Sequence, residues 1–149
     1  MFQLYSKGCE HTLRALVYAG EDAKTQPFTA KALCRKANIP ESYTRKILQS
    51  LVRGKFLKAV SGPGGGYRLV HAPKDISVLS VVKEVDGQDS FNQCVMGLAH
   101  CNDKKPCAMH TTWMKTKTQL LSELDTLTIQ DLIVITNNHH SKKEAYESN

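Results

Sequence analysis

A mainly α fold with one small β-hairpin is what this chain of 149 residues predicts. Three observations carry that reading. Apolar residues recur at helical spacing over most of the sequence. One glycine-dense stretch, Ser61-Gly62-Pro63-Gly64-Gly65-Gly66, separates two short extended runs. A stripe of Met109, Trp113, Leu120, Leu124 and Leu127 marks a long helix further on. The hydrophobic fraction of 41% is that of a globular protein, and the length suits one ordinary core with an appended element.

Phe2 and Leu4 precede the first helix, which is predicted over Cys9 to Tyr18 from Leu13, Leu16 and Val17, with Gly20 as its stop. Thr29 is placed to cap a short helix reaching Ala37, and Asn38 to Pro40 turn the chain. A third helix follows from about Glu41 to Arg53, with Ile47, Leu48 and Leu51 as its apolar face. Ser42, Tyr43, Arg45, Lys46 and Gln49 are left for other contacts. Two helices joined by a tight turn, the second bearing basic and amide side chains, have the organisation of a helix-turn-helix whose second member enters a major groove.

Phe56 to Val60 and Tyr67 to His71 read as the strands of the hairpin. Without side chains to hold it off, the tip around Gly64 and Gly65 can lie against a sugar-phosphate wall or in a minor groove. A hairpin in this position is a wing, so residues 1–75 are expected to form a winged helix-turn-helix domain that binds double-stranded DNA.

Residues 76–136 are expected to hold a helix, a cysteine-bearing loop and a dimerisation helix. Ser77 is placed to cap a helix carrying Val78, Leu79, Val81, Val82 and Val85, and Asp86-Gly87 opens an irregular stretch to about Cys107. The long helix that follows has few partners left in its own chain, so its narrow apolar seam predicts a homodimer. Thr128-x-x-Asp131 resembles a capping box with Asp in place of Glu or Gln, opening a last short helix through Ile135. Residues 137–149 are polar and expected to be a disordered tail that includes His139 and His140.

Charge is unevenly spread. Residues 1–75 hold 13 Lys/Arg against 5 Asp/Glu, whereas 76–149 hold 7 against 9. Such a basic half suits a polyanionic partner, because each cation set against a phosphate releases condensed counterions. Lys7, Glu10, His11 and Arg14 interrupt the first twenty residues, so no signal peptide or membrane anchor is read there and a cytoplasmic protein is expected. No paired acid-base constellation, nucleotide loop or nucleophile motif points to an enzyme.

Three of the five cysteines fall in one short stretch, Cys94-x6-Cys101-x5-Cys107. In a reducing compartment, clustered thiols are metal ligands or redox groups more often than disulfides. Thiolates are soft anionic donors that suit an iron-sulfur cluster. His110, one helical turn after Cys107, is a candidate fourth donor. Structural zinc on three cysteines and a histidine is an alternative, although the usual tight Cys knuckles are missing. Unliganded thiols that respond to oxidation are another. Cys9 and Cys34 stand alone on predicted helices and read as small buried residues.

Taken in order, Leu13-Arg14-Ala15-Leu16, Ser42-Tyr43, the Gly62 to Tyr67 wing, the three cysteines and Thr128-Ile129-Gln130-Asp131-Leu132 resemble the Rrf2 family of bacterial winged-helix transcription regulators over about Met1 to Ile133. They resemble most its iron-sulfur-cluster (IscR-like) and nitric-oxide-sensing (NsrR-like) branches. The resemblance implies a homodimer on a palindromic operator, acting as a repressor whose affinity follows a cluster that senses nitric oxide, redox state or iron-sulfur status. Cys94, Cys101 and Cys107 match the family's cluster ligands. The first branch implies His110 as the fourth; the second implies a carboxylate at the start of helix one, where this chain has Glu10. The implied cluster is 2Fe-2S, with 4Fe-4S as the alternative.

The chain departs from the family pattern at Ser61, where an arginine often precedes the wing glycine, and at Arg45, where the first branch has an acid. The Cys94 to Cys101 gap is also one residue longer than in that branch. A cluster-free regulator, acting through thiol oxidation or a partner protein, is the other function the resemblance allows.

Overall fold

The computed structural model describes residues 4–21, 27–99 and 101–147. It has six helices, α1 (Lys7–Glu21), α2 (Ala30–Lys36), α3 (Glu41–Arg53), α4 (Val78–Asp86), α5 (His110–Thr126) and α6 (Ile129–Glu147), with one hairpin of β1 (Leu57–Val60) and β2 (Gly66–Leu69). The mainly α class with a two-stranded antiparallel wing is thus what the chain adopts.

α1 is the hub, with α2, α3, α4 and α6 all packing on it. Its Cys9, Ala15, Leu16 and Ala19 are almost wholly buried. It begins earlier than its apolar periodicity indicates because Ser6 caps it: Cys9 N donates to Ser6 Oγ at 3.1 Å. Thr29 caps α2 through Ala32 N, and Asn38 takes the left-handed conformation at φ 51°, which lets the chain turn sharply into α3. α3 has the expected bounds and buries the expected Ile47, Leu48 and Leu51.

In the hairpin, Leu57 pairs with Leu69 and Lys58 with Arg68. A bridge between Phe28 and Tyr67, with N–H···O bonds of 3.0 and 2.8 Å, ties the wing to the entrance of α2. A turn of 3-10 helix at Pro73–Asp75, not foreseen in the sequence, leads to α4, whose cap is Ser77 as expected.

The start of α4 is pinned to the start of α6, with Val78 N bonded to Leu127 O and Ile129 N to Ile76 O. The Thr128–Asp131 box forms reciprocally: Asp131 N donates to Thr128 Oγ1 at 3.2 Å, and Thr128 N donates to Asp131 Oδ2 at 2.9 Å. α6 differs from the sequence reading. Instead of stopping near Ile135 with a structureless tail, it runs to Glu147. Its apolar stretch docks Ile129 and Ile133 on the core, and past it the backbone bonding of the helix continues through a polar sequence that has no glycine or proline to break it.

The long stripe on α5 also divides. Leu124 is buried, and Leu120, Leu121 and Leu127 lean on the core of their own chain. At the other end Trp113 is half-buried and Met109 is 43% exposed. Among the described residues, no helix is long and apolar enough to cross a membrane.

Candidate metal centre and nucleic-acid interface

The loop from Gly87 to Met109 leaves α4 and returns at the first residue of α5. Short turns shape it: Cys94 O accepts from Gly97 N, Asn102 O from Lys105 N, and Cys107 O from His110 N. Those turns gather the four loop donors into two pairs. Cys94 Sγ lies 3.7 Å from Cys107 Sγ, and Cys101 Sγ lies 3.4 Å from His110 Nδ1. His110 Nε2 meets Asp103 Oδ1 at 2.8 Å.

Cys94 is buried, and hydrogen bonds from the backbone amides of Leu98 and Met96 favour its thiolate, so its ionisation lies below the ordinary thiol range. By contrast, burial first and the Asp86 carboxylate second push the Cys9 thiol up to about 12, which keeps it neutral and inert. Cys34 is buried in α2.

Two thiolates each about 2.3 Å from one tetrahedral metal stand roughly 3.8 Å apart, and a thiolate and an imidazole nitrogen on one metal stand roughly 3.5 Å apart. Both observed pairs have that bite. Among the described residues no group of three or more donors converges on a single point. Three thiols and an imidazole are soft donors of the kind an iron-sulfur cluster takes, and Cys94, Cys107, Cys101 and His110 would hold one here.

Glu10, the other candidate for the fourth ligand, is engaged elsewhere. It meets Lys7 Nζ at 2.7 Å and Arg14 at 2.6 Å, and these cations hold its carboxyl below the usual carboxylate range, the hydrogen bond from Lys7 foremost. Arg14 also donates to Asn38 O at 3.2 Å in the turn before α3.

On α3, Ser42, Arg45, Lys46 and Gln49 are exposed. Tyr43 is partly buried, edge-on to the His11 ring at a centroid distance of 4.9 Å. His11 is buried with Nδ1 lacking a partner, and that desolvation lowers its pKa. Arg53 is committed to Glu84 at 2.6 Å.

At the wing tip Gly62 and Gly64 take φ of 91° and 73° with open space around them. Gly65 and Gly66 are different: a Cβ would overlap the Val60 carbonyl oxygen at the first and the Phe28 carbonyl oxygen at the second. The sequence reading missed Lys58 and Arg68, which stand directly opposite each other and exposed on the wing. Like charges paired across strands repel. The alternation in Leu57-Lys58 and Arg68-Leu69 carried the signal, but it needed the register to bring the two cations together.

The sequence profile of the Rrf2 family, described as an iron-dependent transcriptional regulator, matches residues 5–134. The chain is 29% identical over 132 residues to the HTH-type transcriptional regulator IscR of Aliivibrio salmonicida, covering 89% of this chain and 77% of that protein. It is 24% identical over 136 residues to a putative HTH-type regulator, rrf2-like, of Rhodobacter capsulatus, covering 86% and 91%. Two solved structures share the fold. CymR, the global cysteine regulator of B. subtilis, superposes with a TM-score of 0.74 at 18% identity over 91% of this chain and 98% of its own. T. potens IscR gives 0.69 at 20% over 88% and 86%.

Proposed function

The chain belongs to the Rrf2 family of DNA-binding transcriptional regulators, and from that premise we propose that it is a homodimeric repressor whose operator affinity is set by an iron-sulfur cluster on Cys94, Cys101, Cys107 and His110. The observation that carries the reading is the pairing of these donors into two bites of 3.7 and 3.4 Å. Like its relatives, the chain is a regulator and not an enzyme. When bound, such a cluster supplies a redox-active and nitric-oxide-reactive group of 2Fe-2S type.

The residues around the loop explain how its order reaches DNA. The loop starts where α4 ends, and Asp86 there accepts from Ser6 N at 2.7 Å at the start of α1. Two residues earlier, Glu84 holds Arg53 at the end of α3. A loop fixed by its ligands fixes α4, and α4 is bonded both to the hub helix and to the helix that presents Arg45, Lys46 and Gln49. The N-terminal end of α5, with half-buried Trp113 and the exposed Met109 just before the helix, supplies the dimer seam that spaces two recognition helices about 34 Å apart for successive major grooves. Ser42, Arg45, Lys46, Lys58, Arg68 and the Gly64 tip face the DNA, while Tyr43 supports α3 from behind.

Anaerobic purification with iron, sulfide and visible-absorption analysis tests the cluster. Iron and acid-labile sulfide in proportion are expected, and colourless, iron-free protein after reconstitution overturns it. The His110→Ala change is expected to alter the spectrum, whereas Glu10→Ala leaves it intact.

The 3.7 Å approach of Cys94 and Cys107, with Cys94 favoured as thiolate, also supports a second reading. In it a cluster-free chain responds to a peroxide: the Cys94 thiolate attacks a peroxide oxygen, the O–O bond breaks with release of an alcohol or water, and Cys107 then displaces water from the Cys94 sulfenic acid to form the disulfide. Iron-free protein whose DNA binding follows the thiol state would favour that reading.

A further inference from the structure

We propose that Asp103 is a positioning residue for the metal site: its carboxylate holds the hydrogen of His110 on Nε2 and so leaves Nδ1 as the metal-donating nitrogen. The inference rests on the reading of His110 as the fourth ligand and adds a residue outside the ligand set.

One short turn grips the imidazole from both sides. Cys101 Sγ stands 3.4 Å from Nδ1, and Asp103 Oδ1 stands 2.8 Å from Nε2. An ionised carboxylate can only accept, so the ring hydrogen in that bond belongs to Nε2. In a neutral imidazole the other nitrogen is then bare, and its lone pair lies on the side occupied by the Cys101 sulfur. The ring is thereby held in the tautomer that lets Nδ1 and the thiolate share one metal.

The turn is built to present the acid. Lys104 N donates to Asn102 Oδ1 at 2.8 Å and Lys105 N to Asn102 O at 3.3 Å, reversing the chain directly after Cys101 and returning Asp103 toward α5. His110 is fixed in turn as the first residue of α5, its backbone N–H donating to Cys107 O at 3.0 Å.

Burial separates a role in the site from a role in folding. The His110 side chain is 12% exposed, whereas that of Asp103 is 86% exposed. A pair with one end so open to solvent contributes little to stability. Its effect falls instead on the orientation and basicity of the imidazole, where carboxylates behind a metal-bound histidine are worth about 10–100-fold in metal affinity.

The test compares the full chain, anaerobically reconstituted with iron and sulfide, with its Asp103→Ala and Asp103→Asn variants. Iron transfer to a competing chelator is measured, together with the histidine-nitrogen hyperfine coupling in pulsed electron paramagnetic resonance of the reduced protein. Asp103→Ala is expected to yield iron about 10–100-fold more readily and with an altered nitrogen coupling. Asp103→Asn, which keeps an accepting oxygen, is expected to fall between. Iron retention and coupling unchanged in Asp103→Ala overturn the role of Asp103 while leaving His110 as a ligand. A parent protein with iron but no nitrogen coupling, or with no iron at all, overturns the ligand assignment and this inference with it.

Discussion

At the scale of single residues, chemistry divides the cysteines by their surroundings. Cys94 sits among backbone N–H groups that favour its anion, whereas Cys9, with no exposed surface, is held neutral. The second case has a pH signature. An unfolded cysteine ionises at about 8.5, and the folded Cys9 at about 12, so between those values the native state binds a proton that the unfolded state has lost. Cys9 therefore contributes its full stability below about pH 8.5, and that contribution is lost as pH rises toward the folded value. Denaturant unfolding at pH 7 and pH 10 should show a loss of stability that is larger in the parent than in Cys9→Ala. Equal losses in the two proteins would contradict this account of Cys9. The five cysteines were legible as a cluster of three and two single buried residues. Their pairing was not, because it depends on turns at Gly97, Asn102 and Cys107 that no periodicity announces.

At the scale of elements, hydrophobic spacing and caps were enough for the helices that bury one face. α3 has its expected bounds, and Thr29 and Ser77 cap as their sequence context indicates. Ser6 was missed because the apolar repeat starts only at Cys9, and the length of α6 was missed because its last part carries no apolar pattern at all. The wing shows the limit most clearly. Its glycines looked alike, yet Gly66 is at φ 153° against the Phe28 carbonyl, while Gly64 has open space. Gly66→Ala should cost about 1–3 kcal/mol by thermal or denaturant unfolding, and Gly64→Ala less; equal costs would contradict the bridge to Phe28 as the reason. Lys58 and Arg68 allow a test of opposite signs. Replacing either with Ala should leave stability equal or up to about 1 kcal/mol higher by relieving the cross-strand repulsion. The same change should weaken DNA binding and lower the salt slope by roughly one unit. Unaltered DNA affinity in both variants would remove the wing strands from the interface.

At the scale of the whole molecule, the fold places a cysteine loop at one end of α4 and ties that helix to α1 by Asp86 and to α3 by Glu84. The sequence showed the loop and the DNA reader as neighbours along the chain. It did not show the two side chains that connect them, since their partners lie 80 and 31 residues away. The central claim is that occupancy of the loop governs DNA affinity. Its most direct test is one preparation divided into cluster-loaded and cluster-free protein, each titrated anaerobically, at fixed salt, against a duplex selected from a random-sequence pool. Affinities differing by tenfold or more between the two forms, with the difference abolished in Cys101→Ala, are expected. Equal affinity of the loaded and cluster-free forms for the same duplex would contradict the account.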